Sequence, residues 1–259
     1  MVGARAGQRL STPGSGPAGA PAVVLLPGTG CRVVELAAQG AALAAAGRRV
    51  VPLELPGHGA EEPVPGAATL EAVAARVGER VAALAGPGPV DLVGHSAGGV
   101  VGLLLAARHP GAVRRLVLLD SNVPVDPAAL AAKRARAAAV RAEGWHAVLL
   151  TSMRAAWGPR RAGLREEVLA RIAATPGAAV RGLWADVLEL DPRPLLRAVR
   201  APLLHVRSTR EVDAAALRAL APRAVSADLR ALGAGHWPHL VEPAAVSGLL
   251  TGFLGGARR

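Results

Sequence analysis

Apolar residues in this chain fall into two kinds of run. One kind is short and nearly unbroken: Ala22-Val23-Val24-Leu25-Leu26, Val90-Asp91-Leu92-Val93, Leu116-Val117-Leu118-Leu119 and Leu203-Leu204-His205-Val206. Runs of this length and density predict strands buried on both faces. The other kind recurs every three or four residues, as in Leu70, Val73, Val77, Val81 and Leu84. That spacing lines one face of a helix, with Thr69 as its N-cap and an end near Ala85, where Gly86-Pro87-Gly88-Pro89 follows. Further elements fit between these: a helix from about Val33 to Ala46 closed by Gly47, a strand over Arg48–Leu53, and a long aliphatic helix ending at Arg108. Strand and helix therefore alternate, which implies an α/β fold whose mostly parallel sheet carries helices on both faces.

The rhythm breaks after Leu119. From about Val123 to Pro194 no strand pattern occurs, only Ala- and Arg-rich helical stretches that hold Trp145, Trp157 and Trp184. Residues 123–194 are expected to form a helical cap inserted into a core made of 22–122 and 195–259. The core resumes at Pro202 and passes the loop Ser208-Thr209-Arg210-Glu211-Val212-Asp213 into a helix through Leu217 and Leu220. A last strand near Val225–Leu229, the loop Gly233–His239 and a helix from about Pro243 to Leu254 complete it. Residues 1–21, rich in Pro and Gly, are expected to be a flexible lead-in.

Composition narrows the possible functions. The longest apolar stretch not interrupted by Pro or a polar residue, Ala97–Ala107, falls short of the roughly 18 residues that span a bilayer, and residues 1–21 lack the apolar centre of a secretory signal. No membrane partner is expected, and a cytoplasmic location is the default. The single cysteine, Cys31, rules out an intramolecular disulfide and leaves too few thiols for a zinc cluster, so no metal is expected. The formal charge of +11 raises the question of nucleic acid. Its arginines, however, are scattered, Lys133 is the sole lysine, Tyr is absent and Phe253 is the one Phe. Without a basic block or aromatic residues to stack bases, the charge reads as compositional bias, and no nucleic-acid partner is expected. The pattern carries no signal for an oligomeric state.

Candidate chemistry centres on Gly94-His95-Ser96-Ala97-Gly98, placed between a strand and a helix. A G-x-S-x-G in that setting makes a sharp turn that exposes a serine at the carboxyl end of a sheet, with glycines where a side chain would strike the neighbouring strand or helix. Ser96 is thus the candidate nucleophile, and it requires a base and an acid to orient that base. His236, after Gly235 in the loop that follows the last strand, is the candidate base, with His239 its rival. His58, in a Gly-flanked turn, reads as a loop brace, and His95, next to the nucleophile, should point away from the site. The acid is Glu211 by preference, with Asp213 and Asp120 as alternatives. A tetrahedral oxyanion needs two donors. The Ala97 amide and the loop after the first strand, at Thr29 between Gly28 and Gly30, are the candidates.

Assembled, these residues resemble the α/β-hydrolase superfamily from about Ala22 to Leu254. The matching pieces are Leu26-Pro27-Gly28-Thr29-Gly30, Glu54-Leu55-Pro56-Gly57-His58-Gly59, Val93-Gly94-His95-Ser96-Ala97-Gly98-Gly99 and Gly235-His236-Trp237-Pro238. A weaker likeness, through Leu119-Asp120 and Ser208-Thr209-Arg210-Glu211, is to the small branch of methylesterases and hydroxynitrile lyases. Two positions depart from the superfamily pattern: Pro27 replaces a histidine before the oxyanion glycine, and Glu211 stands where aspartate is commoner. The resemblance implies hydrolysis, without a cofactor, of a small or medium acyl substrate, an ester or thioester, through an acyl-serine. Carbon-carbon bond hydrolysis, acyl transfer and cofactor-free haloperoxidation occur on the same fold, as does ligand binding without turnover.

Overall fold

The structure is a computed structural model that describes residues 21–86 and 88–255, so the expected lead-in lies, apart from Pro21, outside the described residues. In chain order the elements are β1 (Ala22–Leu26), α1 (Ala37–Ala45), β2 (Arg49–Pro52), α2 (Leu70–Ala85), β3 (Val90–His95), α3 (Ala97–Arg108) and β4 (Val113–Leu119). Helices α4 (Pro127–Ala135), α5 (Ala137–Arg141), α6 (Trp145–Ala156), α7 (Ala162–Ala174), α8 (Gly177–Glu189) and α9 (Arg193–Ala198) then intervene. The chain closes with β5 (Leu203–Arg207), α10 (Ala214–Leu220), β6 (Ala224–Asp228), α11 (Pro238–Val241) and α12 (Pro243–Gly255).

All the strand pairings are parallel, in the order β2-β1-β3-β4-β5-β6. Alternate residues of a strand face opposite sides of the sheet, and β1 shows it directly. Val24 and Leu26 pack with Val73 and Val77 of α2 and Val100 and Leu104 of α3. Val23 and Leu25 pack with Leu43 of α1 and Val246 and Leu250 of α12. Both faces are therefore covered, which is why these strands read as continuous apolar runs. From β1 the chain first steps outward to β2 and then returns to place β3 on the other side of β1. The loops leaving β1 and β3 diverge at that switch point, and the crevice between them is where ligands bind in open α/β sheets.

Two expected boundaries differ. The helix predicted from Val33 begins as a 3-10 turn over Val33–Leu36 before α1. Strand β4 begins at Val113 rather than Leu116, because Arg114 is half-buried and reaches the carboxylate of Asp91 on β3. Asp91 is fully buried at the amino end of β3 and is clamped by Arg48 as well as Arg114. Between β4 and β5 the chain is helical over Pro127–Ala198, and these helices share a third apolar cluster, including Val140, Leu149, Trp157, Ile172 and Trp184, with Trp237. Trp157 also forms an isolated antiparallel bridge with Gly235, a contact the sequence pattern does not announce. Among the described residues no helix is long and apolar enough to cross a membrane.

Candidate active site

Ser96 stands between β3 and α3 with φ 51°, a left-handed conformation that a side chain rarely adopts, and its amide donates to the Leu119 carbonyl at 3.0 Å. The turn is tight enough that a Cβ on Gly94 would overlap the Gly98–Gly99 peptide, and one on Gly98 would overlap the Pro27 carbonyl. Glycine is the residue that permits this approach. On the other side of the crevice, a Cβ on Gly28 would lie 3.0 Å from Ser96 Cβ, so the loop after β1 presses on the serine. Thr29 is buried beside it, and among the described residues neither the Thr29 nor the Ala97 amide donates to another backbone group. Ala97 opens α3, where the first amides lack helical partners.

His236 is buried, and its Nδ1 lies 2.7 Å from Oδ2 of Asp120. Since a carboxylate only accepts, Nδ1–H donates and Nε2 is left as the basic nitrogen. Asp120, at the end of β4, accepts at Oδ1 from the amides of Ser208 (2.6 Å), Thr209 (2.8 Å) and Arg210 (3.2 Å), and at Oδ2 from the Thr209 hydroxyl (2.6 Å). Burial opposes its charge, but the His236 contact and these donors hold the carboxyl well below its usual range. Burial, followed by the nearby Arg210 cation, pushes the His236 imidazole below its ordinary value despite the Asp120 bond, so it is neutral near pH 7. Backbone bonds tie these elements into one row, Ser96 to Leu119 on β4 and Asp120 to Val206 on β5.

The acid beside His236 is thus Asp120, and the expectation of Glu211 is corrected. The turn after β5 spends its amides on gripping Asp120, so the chain has already left the crevice at Glu211. That side chain is 83% exposed and pairs with Arg230 at 3.0 Å. Asp213 accepts from the Ala216 amide as the N-cap of α10. What the sequence holds as a signal is Asp120 itself, the first polar residue after an apolar strand on the neighbour of the elbow strand.

Other histidines act as braces. His58 donates from Nδ1 to the Pro56 carbonyl and accepts at Nε2 from the Gly30 amide at 3.0 Å, fixing the loop that carries Thr29. His95 points beneath the elbow, and its Nε2 lies 2.8 Å from the His236 carbonyl. His239, the rival base, is buried with its ring centroid 4.5 Å from that of His95, and burial lowers it to about 3. From above, the Ala156 carbonyl accepts from the His236 amide at 2.8 Å. The sequence marks His58 as a brace and turns His95 from the site, but their partners at Gly30 and His236 escape it because they lie 28 and 141 residues away in the chain.

Over Ser96 and Thr29 opens a cavity of about 530 Å³, roofed by Met153, Trp157, Trp184 and Leu188. Trp145 packs elsewhere, against Gly177. Arg154 and Arg160 turn outward to Glu166 and Glu242. Among the described residues no cluster of His, Cys, Asp and Glu could hold a metal ion.

The chain is similar to a hydrolase of Pseudomonas aeruginosa PA01, at 27% identity with a TM-score of 0.77, over 93% of this chain and 92% of that one. It is similar as well to an enol-lactonase of Burkholderia xenovorans LB400, at 25% identity and TM-score 0.70, over 93% and 94%. A curated relative, the biotin biosynthesis bifunctional protein BioHC of Teredinibacter turnerae, is 28% identical over 194 residues, which are 65% of this chain but 33% of that protein. A family model described as the alpha/beta hydrolase family matches residues 23–249, and the chain belongs to that family.

Proposed function

We propose that the protein is a serine hydrolase that cleaves a carboxylic ester or thioester of a small to medium acyl substrate, with Ser96, His236 and Asp120 as its triad and the 123–194 insertion as its cap. The carrying observation is the 2.7 Å contact from His236 to a buried, fully accepted Asp120 beside a serine at φ 51°. The similarity to a hydrolase at 27% identity supports the same reading.

In this reaction His236 Nε2 takes the Ser96 hydroxyl proton while Oγ bonds to the substrate carbonyl carbon. Asp120 keeps Nδ1–H oriented and stabilises the imidazolium. The amides of Ala97 and Thr29 donate to the oxyanion, each worth about 3 kcal/mol of barrier. Collapse breaks the carbon–oxygen bond to the alcohol, which leaves with the proton from His236. Water, deprotonated by the same nitrogen, then attacks the acyl-serine and releases the acid, returning the proton to Ser96. No step draws on a cofactor. The test is turnover of aryl esters by wild type and Ser96→Ala. A fall of at least about 10⁴-fold in kcat is expected, and retained turnover overturns the proposal.

A further inference from the structure

The cavity above Ser96 is mostly apolar, yet it has a charged side. Of the residues that line it, only Arg136 and Arg210 carry charge, and no Asp or Glu joins them. Three arginines of the inserted segment are matched with acids, Arg141 with Glu189, Arg154 with Glu166 and Arg193 with Asp191, and Arg134 and Arg181 donate to backbone carbonyls. Among the described residues, the side chains of Arg136 and Arg210 have neither an ion pair nor a hydrogen bond. Arg210 Nε is buried and without a partner, a state that costs free energy unless something accepts from it.

Asp120 is near enough to influence Arg210, but its oxygens are occupied by His236, Thr209 and the backbone amides of residues 208–210, so it does not take the guanidinium. Lys133, buried beneath with its amine on the carbonyls of Asn122 and Leu190, is lowered to about 7, chiefly by burial, so at about pH 8 it is largely neutral and the charge on this side is that of Arg136 and Arg210. Trp157, Trp184 and Leu188 supply apolar lining to the same cavity. A ligand that suits both sides has an apolar body and an anionic end.

Building on the ester-hydrolase reading above, we propose that the substrate carries a carboxylate remote from the scissile ester, held by the guanidiniums of Arg210 and Arg136. Planar guanidinium donors match a carboxylate's two oxygens. Salt screens the half-buried Arg210 less than the exposed Arg136. The apolar chain between carboxylate and ester lies along Trp157, Trp184 and Leu188. A half-ester of a dicarboxylic acid is the simplest molecule of this class.

The experiment compares kcat/KM, at about pH 8 where His236 is neutral, for aryl monoesters of a graded series of linear dicarboxylic acids with the same compounds capped as methyl esters. The expected result is an anionic preference of about tenfold or more at the best chain length, shrinking as salt is raised. That ratio should fall in Arg210→Gln and in Arg136→Gln, and should persist in Arg218→Gln, an exposed arginine of α10 outside the cavity. Because Arg136 is exposed, its substitution leaves the packing intact and keeps the test valid even if Arg210→Gln folds poorly. A ratio near one at every chain length while capped esters are turned over overturns the inference and leaves the hydrolase reading standing. So does a preference that survives both cavity substitutions, or a stronger preference for a phosphate-ended ester. No turnover of either series overturns the hydrolase reading itself.

Discussion

Two aspartates, Asp91 and Asp120, are fully buried at opposite ends of the same sheet, and their charges are handled in opposite ways. Asp91, at the amino end of β3, is matched by two guanidiniums, Arg48 and Arg114, which leave no capacity for another cation. Asp120, at the carboxyl end of β4, accepts from amides and a hydroxyl, which are neutral, and from one imidazole. Neutral donors hold a carboxylate ionised without cancelling its charge. The first arrangement ties strands together; in the proposed reaction the second keeps a negative charge available to an imidazolium that forms only during turnover.

Substitutions at the two positions should therefore separate activity from stability. Asp120→Asn preserves shape but loses the charge and can hold His236 in the wrong tautomer. It should lower kcat on aryl esters by about 10⁴-fold, with a modest change in melting temperature. Asp91→Asn leaves two half-buried guanidiniums under-compensated and should destabilise by about 3 kcal/mol in urea unfolding, while kcat per folded molecule stays near wild type. If Asp91→Asn abolished kcat in folded protein, or Asp120→Asn only lowered stability, the contrast would fail.

Smaller changes refine the Asp120 end. Thr209→Val removes the hydroxyl donor to Oδ2 while leaving the backbone amides, and kcat/KM should drop about tenfold. The base works only when neutral, so activity is present above the His236 pKa and lost as pH falls through it. With burial and Arg210 holding that pKa low, the acid limb of kcat/KM should have its midpoint below about 6.5. Arg210→Gln removes one of those depressing influences and should move the limb upward; a downward shift would contradict the assigned geometry. Glu211→Gln, at the surface on Arg230, should change kcat/KM less than about twofold.

The same contrast explains what could be read from the chain. Ser96 and its glycines were legible because the elbow is local: strand, turn and helix follow one another, and sterics alone demand Gly94 and Gly98. His236 was legible as the histidine in a Gly-flanked loop after the last strand. The acid was not, because choosing among Asp120, Glu211 and Asp213 depends on how the turn after β5 sits against the end of β4, residues about 88 apart in the chain. Asp91 gave no sign of its partners either, and they lie on separate strands or loops. The cavity's chemistry was hidden for a related reason. In a chain with so many arginines, only the folded structure distinguishes Arg136 and Arg210, which lack partners, from Arg154 and Arg160, which have them.

The central claim, that His236 and Asp120 activate Ser96, is tested most directly by fluorophosphonate labelling with peptide mapping, followed over time in wild type, Asp120→Asn and Glu211→Gln. One adduct should form, on Ser96, at a rate that collapses in Asp120→Asn and holds in Glu211→Gln. An adduct on another residue, no adduct, or equal labelling in Asp120→Asn and wild type would contradict it.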